Sequence, residues 1–184
     1  HEHFFFRKGC QMIELEIRKL GVFMGKLFSS DCFDSFLITE AAVRTNVSWA
    51  LDSRLLKSFY TDEEWNDHDT RPYEFATWSD MRPIIREIIK GKKSPVGFQL
   101  VFRLKPEYVH AVLKKASGNN EADSSDTVSP VDALYFTVKY DGAKAIIITG
   151  IGYSGFTLDK SAEPVWDRTM TAFLDRKEIE YDEK

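Results

Sequence analysis

The clearest pattern of hydrophobic and polar positions along the chain lies in residues 133–159. Apolar and polar side chains alternate over residues 134–140, and a second run of β-branched residues follows at 146–148. Asp141 and Gly142 lie between the two runs, and an Asp-Gly pair in this position is typical of a tight β-hairpin. Residues 156–158, after a break rich in glycine, predict a third short strand. The segment is therefore predicted to be a three-stranded antiparallel meander.

Two periodicities predict the elements of the N-terminal third. Alternation with period two predicts strands over residues 12–17, 33–45 and 47–51, and residues 55–60 are consistent with one more. Between the first two strands, apolar residues recur at helical spacing over residues 20–28, which predicts a short amphipathic helix.

Helical spacing returns three times in the rest of the chain. The strongest apolar stripe runs from Met81 to Ile89 and predicts a helix over residues 79–90. Further helices are predicted to begin at Pro106 and at Ser161. A strand at 96–104 is predicted between the helix at 79–90 and the helix that begins at Pro106. The acidic residues 61–76 and the polar residues 117–130 are predicted to be irregular connections, and residues 179–181 an edge strand.

The order of these elements repeats. Residues 12–60 and 96–159 each read as a strand, a helix and about three antiparallel strands, although the two segments share little residue identity. The predicted fold class is α+β: duplicated strand-helix-three-strand units form antiparallel sheets with helices packed on one side, plus an extra central helix and a C-terminal helix. One domain is expected over residues 12–184. Residues 1–11, which do not begin with Met, are expected to be a leader outside the fold. Coincidence among short α+β units is the alternative to a true repeat.

Length and composition fit a single globular domain. The chain has 184 residues, of which 43% are hydrophobic and 29% charged, so a substantial core is expected. A net charge of −4 argues against a protein covered in nucleic acid, without excluding a local basic face. Cys10 and Cys32 are the two cysteines, and no apolar run reaches the length of a membrane span, which favours a cytoplasmic protein.

The repeated order of elements resembles that of a DNA sliding-clamp domain. The second unit carries the likeness most clearly, because VGFQLVFRLKPEYVHAVLKKA followed by ALYFTVKYDGAKAIIITG has strand, helix and hairpin in that order. The resemblance implies strands on the outside and two helices on an inner, DNA-facing side. The helix at 79–90 and the C-terminal helix depart from the minimal clamp domain. The whole chain is also similar to an uncharacterised bacterial domain family to which no activity is attached.

A clamp-like protein needs basic side chains that contact DNA phosphates without sequence preference. The candidate DNA-contacting residues, on or beside the predicted helices, are Lys90, Lys92, Lys93, Lys105, Lys114 and Lys115. A single clamp-like domain would also have to form a homo-oligomer to encircle DNA, and the sequence leaves this open. The competing interpretation is a solvated helix face, since lysines opposite an apolar stripe are ordinary.

The glycine pattern formed by Gly150, Gly152 and Gly155 is the one feature that matches a nucleotide-binding motif. Such a site needs a helix directly after the glycines, because the helix N-terminus holds the phosphates. Here the predicted strand at 156–158 follows, so a bulged strand connection is favoured. A small-molecule-binding domain, nucleotide-binding domain or enzyme that uses residues 150–155 is the alternative hypothesis.

The sequence predicts no catalytic residue, no metal ligands and no cofactor. His68 lies among acidic residues at 62–69, but their spacing matches no known cation-binding loop, and a solvated connection is favoured. No G-x-S-x-G nucleophile motif occurs. The leading hypothesis is therefore a non-enzymatic module that contacts DNA or proteins of replication and repair.

Aromatic residues form a second candidate contact surface: Trp49, Trp65, Tyr73, Phe75, Trp78 and Trp166. Of these, Trp65, Tyr73, Phe75 and Trp78 lie in or beside the acidic connection. Large apolar side chains are mostly buried, so we expect those beside the connection to pin it onto the core.

Overall fold

The computed structural model describes residues 13–116 and 130–184. The strands are β1 (Glu14–Ile17), β2 (Phe36–Arg44), β3 (Ser48–Asp52), β4 (Gly97–Leu104), β5 (Val131–Tyr140), β6 (Ala145–Tyr153) and β7 (Tyr181–Glu183). They form one sheet in the order β3-β2-β4-β5-β6-β1-β7, and every neighbouring pair is antiparallel. The expected leader at 1–11 and most of the polar connection at 117–130 lie outside the described residues.

The helices are α1 (Leu20–Ser29), α2 (Asp62–Asn66), α3 (Trp78–Ile89), α4 (Pro106–Ala116) and α5 (Ala162–Arg176), with a 3₁₀ turn at Lys57–Phe59. Buried side chains of α1, α3, α4 and α5 all join one hydrophobic core on one face of the sheet. The prediction of an α+β fold with helices packed on one side is confirmed. Within the described ranges no helix is long and apolar enough to cross a membrane.

Aromatic rings fill the centre of this core. Phe102 of β4 and Phe136 of β5 are cross-strand partners, and their rings stack with centroids 4.7 Å apart. Phe33, before β2, contacts both rings and also Phe173 of α5, at 5.4 Å. Ring pairs of this kind add stabilisation beyond the area they bury. The cluster therefore joins the middle of the sheet to the helix layer.

Two predicted strands are wrong. Residues 156–158 form no strand, and Phe156 and Leu158 are 92% and 85% exposed. The edge of β6 that a third meander strand would need is taken by β1, which pairs with β6 at 146–148. Residues 55–60 contain the 3₁₀ turn instead of a strand, and only Leu55 at their start donates its N–H to the carbonyl of Glu74. Short alternating runs become strands only where a partner takes their hydrogen bonds.

The predicted repeat is present in a shorter form, with two strands after each helix instead of three, and the strand pairing is not repeated. β1-α1-β2-β3 and β4-α4-β5-β6 follow the same order along the chain. In the second unit β4, β5 and β6 are neighbours, whereas β1 is separated from β2 by these three strands. The N-terminal strand therefore completes the C-terminal unit, and the two units share one sheet.

Candidate functional site

An apolar groove lies at the free end of the sheet, between edge strand β3 and helix α3. Helix α3 packs over β2, the neighbour of β3. Trp49 and Leu51 of β3 project toward the helix layer, because their cross-strand partners Val43 and Ala41 belong to the core. The groove has a volume of about 1080 Å³, and Ile88 is among the side chains of α3 that line it.

Three large apolar side chains on the rim of the groove are exposed. Trp49 is 42% exposed, Ile84 of α3 is 52% exposed and Val96, before β4, is 57% exposed. A single exposed apolar residue is ordinary, but several around one concave surface are typical of an interaction site.

Among the described residues, none pairs with the main-chain groups along the outer edge of β3. The Thr45 N–H donates to the Val47 carbonyl, and the Ser53 N–H donates to the Thr39 carbonyl, so the main-chain groups of Val47 and Ser53 point toward β2. Hydrogen-bonded and non-hydrogen-bonded residue pairs alternate along an antiparallel ladder. The main-chain groups of the odd-numbered residues of β3 therefore point toward β2 as well. Ser48 and Ala50 therefore direct their N–H and C=O groups away from the sheet.

Three of the predicted lysines lie at one end of the groove. Lys90 and Lys93 line it, and Lys92 lies between them on the exposed turn after α3. The Lys90 Nζ is 3.6 Å from Glu87 Oε1, which is an exposed ion pair. Basic residues here offset the negative end of the α3 dipole. Because Glu87 is the only carboxylate among the described residues that line the groove, this end carries excess positive charge.

The other predicted lysines lie elsewhere. Lys105 precedes α4, with its Nζ 5.6 Å from the centroid of the Tyr73 ring. Lys114 and Lys115 are exposed in the last turn of α4, which contacts α5 and β5. Strand β4 runs between Lys93 and Lys105 along the chain, and its eight residues span roughly 26 Å, so the two lysines lie at opposite ends of this strand. The structure therefore does not gather the six lysines into one patch.

The glycine pattern lies largely within strand β6. Gly150 and Gly152 are paired with Tyr135 and Ala133 of β5. A Cβ atom on Gly152 would come within 3.0 Å of Tyr135 Cε2, so this glycine leaves room for the ring. Helix α5 begins only at Ala162, and the glycines therefore do not adjoin the helix N-terminus that a phosphate-binding loop requires.

The acidic connection, predicted to be irregular, contains α2 and orders itself with its own carboxylates. Thr61 and Glu64 form a capping box, in which each side chain accepts a hydrogen bond from the other residue's backbone N–H. Asp67 accepts hydrogen bonds from the Thr70 hydroxyl and the Asp69 N–H, and these bonds lower the pKa of Asp67. Over residues 13–116 and 130–184, no three His, Cys, Asp or Glu side chains are arranged to hold a metal ion.

The prediction that the aromatic residues beside the acidic connection pin it onto the core is confirmed for Phe75 and Trp78, which are buried. Trp65 is half-buried against Arg71 of the connection itself, with the guanidinium 3.9 Å from its ring centroid. The Tyr73 hydroxyl donates to Glu107 Oε1 at 2.5 Å. Burial and this carboxylate raise the pKa of Tyr73 to about 12. Trp49, on the rim of the groove, differs from these residues because its side chain is exposed.

A second recess, of about 550 Å³, lies on the opposite face of the sheet. Glu16 at its side pairs with Lys184 and with Lys144, whose Nζ is 2.9 Å from the carboxylate. These two lysines lower the pKa of Glu16. Because the Glu16 carboxylate is already paired with two lysines, the recess is a weaker candidate than the groove.

The sequence predicts the elements that form the groove but not the groove itself. Ile84 belongs to the apolar stripe of α3 and is therefore predicted to be buried. The stripe from Met81 to Ile89 covers an arc of roughly 140° at about 100° per residue. An apolar arc of this width indicates that part of the stripe on α3 extends beyond the surface that the sheet covers.

A family model described as "Family of unknown function (DUF5721)" matches residues 26–182. The match covers most of the chain, so the chain belongs to this family. The expected likeness to an uncharacterised domain family is confirmed in this general form. No curated protein and no solved structure matches the chain.

Proposed function

We propose that this member of the DUF5721 family is a protein-interaction module that holds a segment of a partner protein in the groove between β3 and α3. The observation that carries the proposal is the rim of Trp49, Ile84 and Val96, three exposed apolar side chains around one concave surface. Burial of these side chains on binding would supply the hydrophobic part of the affinity.

The groove fits a segment with bulky apolar side chains and acidic residues at one end. Its lining is mostly apolar, while Lys90 and Lys93 provide charge complementarity to carboxylates at the end of α3. A basic segment would meet these lysines and be disfavoured.

The position of the groove favours an elongated segment over an enclosed small molecule. Typical small-molecule pockets occupy about 300–1,000 Å³ and enclose most of the ligand. The groove, at about 1080 Å³, lies at a sheet edge beside exposed side chains. An elongated partner segment can therefore enter from the side.

Short random peptides displayed on phage and selected on the immobilised chain test this proposal. We expect enriched peptides to combine bulky apolar and acidic residues, and to lose binding to an Ile84→Glu variant. Val22→Glu is the matched control, because Val22 is an aliphatic residue of α1, 47% exposed, that does not line the groove. If enriched peptides bind Ile84→Glu as well as they bind the parent chain, the groove is not the binding surface.

Contact with DNA is the second candidate function. It is supported by the placement of α1 and α4 on the same face of the sheet, with Lys114 and Lys115 exposed on α4. Binding of this kind depends on salt, because phosphate contacts release counterions. It should weaken when Lys114 and Lys115 are changed to Ala, and DNA binding indifferent to those changes would exclude their role.

A further inference from the structure

We infer that the partner segment binds as an additional antiparallel strand on the free edge of β3; this inference rests on the proposed function of the groove. Strand β3 is the last strand of the sheet, and the main-chain groups of Ser48 and Ala50 point away from β2. An extended segment beside β3 would replace water as the partner of these groups.

The position of α3 explains where the side chains of such a strand would lie. A strand added to the sheet lies about 4.8 Å from β3, and its alternate side chains project to the same face. On the helix side these side chains would meet Trp49 from β3, and Ile84 and Ile88 from α3. The added strand would thus extend the sheet and cover the exposed side of α3. Apolar residues in the segment are therefore expected at every second position.

The charges at the groove give the segment a direction. The Val96 N–H bonds to the carbonyl of Arg44, whose cross-strand partner is Ser48, so the lysines lie near the start of β3. Asp52 lies at the end of β3. All strand pairs of the sheet are antiparallel, and antiparallel ladders are slightly more stable than parallel ones. An antiparallel segment places its C-terminal end near Lys93, so its acidic residues should follow its apolar residues.

Amide hydrogen exchange with a synthetic peptide tests the mode of binding. The probe alternates valine and threonine and ends in two glutamates. We expect the amides of Ser48 and Ala50 to exchange at least several-fold more slowly in the complex, while NMR signals of the Ile84 side chain shift. A shift at Ile84 with unchanged exchange at Ala50 would overturn strand addition and retain the groove as a binding site. No change at either residue would count against both.

Two variants separate main-chain bonding from apolar contact. Ala50→Pro removes an outward N–H without removing a hydrogen bond to β2, and it is expected to weaken peptide binding about tenfold. Methylation of one backbone nitrogen of the probe that faces β3 should have a similar effect and does not alter the protein.

A probe that ends in two lysines instead of two glutamates should bind more weakly than the parent probe, because it would meet Lys90 and Lys93. Equal affinity of the methylated and parent probes would overturn the inference.

Discussion

At the scale of single residues, Glu40 links protonation to stability. Glu40 of β2 lies opposite Asp52 of β3, and burial together with this second carboxylate raises the pKa of Glu40. A raised pKa in the folded state means that the charged form is disfavoured. The contribution of Glu40 to stability is therefore fully present below its unfolded pKa and is lost as the pH rises through its folded pKa.

Glu40→Gln should consequently raise the free energy of unfolding at pH near 7. The gain should stay below about 1 kcal/mol, because solvent screens a partly exposed carboxylate. The gain should disappear at pH values below about 3, where the glutamate is protonated in both states. Urea denaturation of both proteins across this pH range measures the difference. A gain that is independent of pH would contradict this assignment.

Two glycines make a matched pair for a test of packing. A Cβ on Gly97 would lie 2.6 Å from the carbonyl oxygen of Tyr140, whereas a Cβ on Gly150 meets nothing within 4 Å. Gly97→Ala forces a backbone shift, and we expect it to lower the free energy of unfolding by about 1–3 kcal/mol. Gly150→Ala should change it by less than about 0.5 kcal/mol. Denaturation curves that rank the two variants in the opposite order would contradict the packing described for β4 and β6.

At the scale of elements, one tryptophan anchors the helix that forms the groove wall. Trp78, in the first turn of α3, is fully buried, and its Nε1–H donates to the Leu27 carbonyl of α1 at 3.1 Å. Trp78→Ala should reduce the free energy of unfolding by about 3–5 kcal/mol. Trp78→Phe keeps most of the buried area and should lose less than the Ala variant. Chemical denaturation gives both values, and an Ala variant as stable as the parent would show that α3 is held by other contacts.

The elements themselves could largely be predicted from the sequence, because local periodicity determines them. The stripe from Met81 to Ile89, the alternation around Phe136 and the Asp141-Gly142 turn all produce the expected helix or strands. Local signals fail where a distant partner decides the outcome. Residues 156–158 alternate like a strand, yet β1 already occupies the edge of β6.

The groove could not be predicted for the same reason. Exposure of Ile84 depends on how far the sheet extends beneath α3, and this depends on strand order. Trp49 alternates correctly as a strand residue, but only the position of β3 at the end of the sheet leaves it uncovered. The predicted lysines at 90–93 could be placed near a helix end, whereas the neighbouring apolar surface could not.

At the scale of the whole molecule, the order of the strands decides which surfaces remain open. The sheet has two edge strands, β7 and β3, and neither has a further strand beside it within the described residues. Strand β7 is only three residues long and is tied to β1 by pairing and by an ion pair between Arg18 and Asp182 at 2.5 Å. Strand β3 is five residues long and borders the groove. We therefore expect the partner segment to bind at the β3 end of the molecule.

Fluorescence anisotropy with two labelled ligands, the valine-threonine-glutamate peptide and a short DNA duplex, tests this assignment most directly. We predict that the peptide binds the parent chain, Val22→Glu and the Lys114→Ala, Lys115→Ala double variant alike, and that Ile84→Glu abolishes its binding. Salt-dependent binding of the duplex that is lost in the lysine variant, together with no peptide binding to the parent chain, would contradict it.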